Sequence, residues 1–277
     1  MNAASDLLRR LRRHPSGVAA GVFIALLVVL ALGAGLVPHF DAQAISSESM
    51  RPPSFRFPLG TDELGRSVLA GVVSGTRVSL TVGFFAALFA TVIGTMLGAA
   101  AGFYGGWLDT VVMRISEFFQ VIPGFILAAV IVAMTGTGLS QIITVVSLLA
   151  WPQVARVMRG EVMRVKRIEF VDAVRCLGLP ERQVLLGEVV PNALAPVLAV
   201  GTLIVGQAIL LEAALSFLGL SSAEQVSWGR MLNSGQRFLF NAWWLSFFPG
   251  TAIFVTVLAF NLFGDAVGAV LNPRATR

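Results

Sequence analysis

The chain has 277 residues, 56% hydrophobic and 13% charged, with a formal net charge of +5 and a mean hydropathy of +0.82. A soluble domain of this length has no core large enough to hide so much apolar surface, so most of the chain is solvated by lipid. In a soluble protein the positive charge would point to nucleic acid; here it belongs to basic residues flanking membrane spans on the cytoplasmic side, and no nucleic-acid partner is expected.

Residues 1–16 carry Arg9, Arg10, Arg12 and Arg13 and read as a cytoplasmic segment. Gly17 to Val37 is free of charge and long enough to cross a bilayer, which places a first span over 17–37. An Arg-rich start with an apolar middle is also the pattern of a cleaved signal peptide, but the apolar run is long for one, so a retained anchor is expected. Residues 38–77 form a periplasmic segment. A core domain follows over 78–272, with five spans near 78–102, 113–135, 139–157, 190–218 and 246–270. The third and fourth come from one uncharged block, Phe118 to Ala155, which Gly136-Thr137-Gly138 divides with a turn. In the second span, Gly94, Gly98 and Gly102 make a smooth stripe where another backbone can approach closely. Ordinary tight packing accounts for that stripe without a sliding helix.

Basic residues near the span ends set the orientation. The Arg-rich start lies inside, and six spans return Arg274 and Arg277 to the same side. The loop over 159–189 also falls inside, in a stretch that holds Arg156, Arg159, Arg164, Lys166, Arg167, Arg175 and Arg182. The outer loops hold fewer basic residues: Arg51, Arg56 and Arg66 after the first span, Arg230 and Arg237 after the fifth. Cys176, the single cysteine, lies in the inner loop, where a reduced thiol is expected.

Within that loop, Glu169 to Leu177 reads as a short helix with Phe170, Val174 and Leu177 on one face. Gly178 suits the left-handed position after its last turn, and Pro180 cannot continue it. A second helix starts around Pro180 and Glu181 and runs to Pro191, in the first turn of the fifth span. An apolar face of about two turns is too small to anchor on lipid. Glu169, Asp172, Glu181 and Glu188 would be repelled by anionic headgroups. A small apolar ridge ringed by both signs of charge suits a groove on a protein partner.

The spacing of Asp172-Ala173-Val174, Gly178 and Pro191 resembles the cytoplasmic loop of bacterial ABC-importer permeases: Glu-Ala-Ala, three residues, Gly, nine residues, then Ile-x-Leu-Pro. Asp172, Val174, Glu188 and Val190 stand where that pattern has other residues. Pro58 to Arg66, Leu215 to Leu220, Trp228 to Leu232 and Ala259 to Asp265 look like segments of the dipeptide/oligopeptide/nickel permeases, in the arrangement of the C-type subunit. The resemblance covers nearly the whole chain. It implies an all-α integral membrane fold of the type I ABC importer class, with six transmembrane helices and both termini cytoplasmic, in the bacterial inner membrane. It implies that Glu169, Phe170, Asp172, Ala173, Val174, Leu177 and Gly178 couple to an ATPase. The implied partners are a second homologous permease, two ABC ATPases that bind ATP and Mg, and a periplasmic or lipid-anchored solute-binding protein. This chain itself would hold no cofactor. The implied cargo is a short peptide, with nickel complexes or another small solute as the alternative.

Glu212 in the outer half of the fifth span and Asp265 near the inner end of the sixth are ionisable groups at membrane depth, where a function or a partner must keep them. With Ser216 they are candidates for the pathway or the subunit interface. A proton-coupled carrier would use such groups as a relay, but two carboxylates are sparse, and His14 and His39 lie outside the spans. No inverted repeat is visible to support a secondary carrier. Catalysis finds no residues either. The sole lysine, Lys166, follows Val165 without a glycine-rich phosphate loop. No His-Glu-x-x-His occurs, and no histidine lies at mid-membrane to serve a serine.

Overall fold

The computed structural model describes residues 14–33, 42–222 and 225–271. Its helices are α1 Pro15–Gly33, α2 Val68–Tyr104, α3 Gly106–Val121, α4 Gly124–Thr135, α5 Leu139–Val165, α6 Glu169–Cys176, α7 Glu181–Phe217, α8 Trp228–Gly235 and α9 Trp244–Leu271. α1, α2, α5, α7 and α9 are long and apolar enough to cross a bilayer, and α3 with α4, bent by 90° between them, is apolar enough to count as a sixth span when taken as a pair. The expected cytoplasmic tail through residue 13, the end of the first span beyond Gly33 and the last residues from 272 lie outside the described residues.

Several spans differ from their expected limits. The second, expected over 78–102, begins at Val68, where the Ser67 hydroxyl accepts the Ala70 amide at 3.4 Å and caps the helix. At 1.5 Å per residue α2 is about 55 Å long, against about 30 Å of hydrocarbon. Arg77, exposed, lies on this helix. The fourth span runs past 157 to Val165, and the fifth starts at Glu181 instead of 190. The inner loop expected over 159–189 is correspondingly shorter, because charges at its edges ride on helical turns standing in water.

The third span, expected as one helix over 113–135, is broken. Gly105 and Gly106 both take positive φ, 69° and 60°, and separate α2 from α3. Ile122 is extended, φ −83° and ψ 131°, as residues before proline are. Pro123 then has no N–H to carry the helix onward. A second correction concerns Pro191. The short helix expected to stop there merges with the fifth span through a π turn over Val184–Val189, where the Val190 amide bonds to the Leu185 carbonyl. The widened turn accommodates the bond that proline cannot make.

α2 and α5 form the most extensive helix pair. The glycine stripe lies on this seam: a Cβ added at Gly98 would stand 2.3 Å from the Ala155 carbonyl oxygen, and one at Gly102 2.7 Å from that of Arg159. The backbones touch, as small-residue stripes permit. α7 and α9 complete the bundle around Met158, Val162, Val197, Ile204 and Ile209, all fully buried. α1 lies along α9 at the edge.

The outer segment is an ordered turn. Asp62 Oδ1 accepts the Leu64 and Arg66 amides at 2.9 and 2.8 Å. The Trp244 indole N–H donates to the Thr61 carbonyl at 3.2 Å. α8 rests against the start of α2, with the Trp228 indole N–H donating to the Val72 carbonyl at 2.9 Å.

Candidate docking site at the inner face

α6 begins after Ile168, whose extended backbone makes the N-cap. Glu169 and Asp172 fall in the first turn, where the positive end of the helix dipole favours carboxylates. The helix ends at Leu177 and Gly178. Gly178 has φ +83°, and its amide donates to the Arg175 carbonyl at 2.9 Å. Nothing lies within 4 Å of a Cβ built there, so the requirement for glycine comes from the backbone rather than from space. Pro180, extended, leads into α7.

Val171, fully buried, is the root of α6. Val174 and Leu179 are half-buried against the same core, which contains Met158, Val162 and Val165. The expected ridge of Phe170, Val174 and Leu177 therefore divides. Val174 belongs with the inward side, while Phe170, Ala173 and Leu177 are exposed. Leu177 is 78% exposed, a large apolar side chain left in water. Residues 170, 173 and 177 share a helical face, and Glu169 and Asp172 are exposed beside it. Periodicity alone does not say which apolar residue of so short a helix faces the core, which is why Val171 was not among the expected residues.

Three basic residues of the inner loop, one on α6 and two on α5 or at its end, make contacts that their sequence positions do not announce. Arg175 turns back, forming ion pairs with Asp172 and Glu181, each at 3.2 Å. Its guanidinium lies 5.6 Å from the centre of the Phe103 ring, within cation–π range. Lys166 Nζ donates to the carbonyls of Gly102 and Phe103 at 3.0 and 2.9 Å. Arg159 grips Asp109 with two hydrogen bonds, one from Nη2 to Oδ2 at 2.6 Å. The three-residue spacing of Asp172 and Arg175 was the one signal available in the sequence.

The membrane-depth candidates part company. Glu212 is 1% exposed. Its carboxylate accepts the hydroxyls of Ser216 at 2.6 Å and Ser79 at 3.3 Å. A cavity of about 10 Å³ borders it, lined also by Thr137, Gln225 and Ser227. Glu212 and Ser216 thus lie inside this chain's own bundle, because α2 and α7 close over them. Asp265 is exposed on α9. The structure does not bring it together with Glu212. At the outer face, a cavity of about 110 Å³ between the Asp62–Val68 turn and α8 is lined by Arg66, Arg230 and Met231.

A bundle of spanning helices with a short amphipathic helix rooted in its core at the inner face is the architecture of an ABC-importer transmembrane subunit. The fold is similar to that of the MetNI methionine ABC transporter in inward-facing conformations, with a TM-score of 0.60, 21% identity, and coverage of 73% of this chain and 97% of that one. Residues 92–277 match the model of the binding-protein-dependent transport system inner membrane component, and residues 3–53 that of the N-terminal TM domain of oligopeptide transport permease C. The glutathione transport system permease protein GsiD of Pectobacterium atrosepticum is 35% identical over 272 residues, 97% of this chain and 90% of the relative. The dipeptide transport system permease protein DppC of Alkalihalophilus pseudofirmus is 34% identical over 271 residues, 97% of this chain and 89% of the relative. The chain belongs to the binding-protein-dependent transport system inner membrane component family, and it is a multi-pass permease subunit of the bacterial inner membrane.

Proposed function

We propose that this chain imports short peptides as one of two homologous permease subunits, which enclose the pathway between them. A periplasmic or lipid-anchored binding protein delivers the peptide at the outer face. Two separate ATPase subunits hold ATP and Mg below the membrane. Each permease offers its ATPase the exposed face of α6, with Phe170, Ala173 and Leu177 in contact and Glu169 and Asp172 at the rim. Gly178 ends the knob so that it projects. Closure of the ATPases on nucleotide moves α6, and alternating access follows.

The observation that carries the docking role is the division of α6 into a buried root, Val171 with Val174, and an exposed apolar face next to charge. A surface of that kind fits a protein groove better than water. The peptide cargo is supported by likeness to relatives named for glutathione and dipeptide transport over 97% of the chain.

Reconstitution into liposomes tests both parts. With the second permease, the ATPases and the binding protein, radiolabelled dipeptide or glutathione accumulates only with ATP and Mg. Accumulation by this chain alone under a proton gradient overturns the scheme, and uptake of a nickel chelate in place of peptide overturns the cargo.

A further inference from the structure

α2 is one unbroken helix from the inner face to the outer, and each end is gripped by a different element. Its inner end is a weak point. Gly105 and Gly106 break the chain there with positive φ, so the last carbonyls of α2 have no following helical turn to satisfy them. Lys166, just past the end of α5, donates to two of these, Gly102 O and Phe103 O. A cation at a helix C-terminus also meets the negative end of the dipole. Arg175, from α6 itself, lies over the Phe103 ring. Arg175 is in turn tied to Asp172 on α6 and to Glu181 at the start of α7. The final turn of α2 is therefore fastened to the docking helix by Arg175 over the Phe103 ring, and to the end of α5, three positions before α6 begins, by Lys166.

The outer end is fastened as tightly. Trp228 of α8 donates to Val72 O, and a Cβ built on Gly75 would stand 2.8 Å from the Trp228 ring. Between the two ends, the Gly98 and Gly102 contacts fix the side of α2 against α5. A helix is stiff along its axis, so a displacement at one end reaches the other.

We propose that α2 is the rod that carries motion of α6 to the outer face, and that Lys166 and Arg175 are positioning residues that make α2 follow α6. Neither residue touches cargo. This rests on the proposal that α6 docks on the ATPase, and the test separates the two.

In the complete importer in liposomes, the readout is peptide accumulated per ATP hydrolysed. Lys166→Met leaves basal ATPase activity unchanged and lowers the ratio about tenfold. Arg175→Leu lowers the ratio in the same direction. Lys166→Arg, which keeps a charged donor, restores most of it. A purely structural role predicts something else: uptake, ATPase and the amount of assembled complex fall in parallel, with no rescue by arginine. That outcome overturns the rod, as does an unchanged ratio in Lys166→Met. Gly178→Val is the reference. If it uncouples while Lys166→Met and Arg175→Leu do not, the rod alone is wrong. If it too stays coupled, the docking proposal falls with it.

Discussion

The Ser216 hydroxyl donates to the Glu212 carboxylate at 2.6 Å, one helical turn back on α7, in a site where Glu212 is 1% exposed. Ser79 reaches the other carboxylate oxygen from α2. Through Ser79 the cluster joins two spanning helices by polar groups that lipid cannot satisfy.

That tie predicts a split between two substitutions. Glu212→Gln keeps an acceptor for the serine hydroxyls and is expected to retain uptake within about twofold. Glu212→Ala leaves a void and unpaired hydroxyls, and lowers stability by about 2–4 kcal/mol. Uptake assays and unfolding in mixed micelles check the pair. Loss of uptake in Glu212→Gln with normal stability would restore the proton-relay reading.

On α6 the expected contrast is between two apolar residues of one short helix. Leu177→Asp changes stability by no more than about 0.5 kcal/mol, because the side chain is already in water. It removes the ATPase from the purified complex. Val171→Asp places a carboxylate in the core and prevents accumulation of folded chain. Affinity purification followed by quantitative immunoblotting distinguishes the two.

Gly178→Val meets no neighbour, but it forces a β-branched residue into φ +83° at a cost of about 1–3 kcal/mol. The chain relieves this by reshaping the turn after α6. Membrane insertion and basal ATPase are expected to remain normal while uptake, and with it the peptide accumulated per ATP hydrolysed, declines. Membrane fractionation reads insertion, and liposomes holding the complete importer read ATPase and uptake.

The seam between α2 and α5 tolerates no added carbon. Gly98→Ala puts a methyl group 2.3 Å from the Ala155 carbonyl oxygen, and overpacking of this kind costs about 1–3 kcal/mol. Gly98→Leu is expected to abolish the folded protein. Gly187→Ala is the control, since a Cβ there has nothing within 4 Å. Thermal unfolding in detergent ranks the three.

Much of this molecule could be read before any fold was in hand. The helix before Gly178, the glycine stripe and the spans were legible because each depends on neighbours a few positions away. Charge misled at the span ends. Arg77 and the arginines of α5 lie on helices that continue past the limits expected from the apolar runs. Pro123 and Pro191 illustrate a subtler limit. Each removes one donor, yet one breaks its helix by 90° and the other is absorbed in a π turn. The local sequence does not say which response the surrounding packing favours.

By itself, the amino-acid sequence determined that lipid is the solvent, that about six segments cross it, which side is inward and that a short helix hangs below. Composition and charge decide those matters, and they act segment by segment against the bilayer. The tertiary structure alone decided that Val171 is the root of α6, that Glu212 is enclosed and that Lys166 closes the end of α2. Those outcomes hang on partners far along the chain, Ser79 at a separation of 133 positions from Glu212 and Gly102 at 64 from Lys166. Which groups meet across such distances is fixed by how the helices pack, and no local pattern records it.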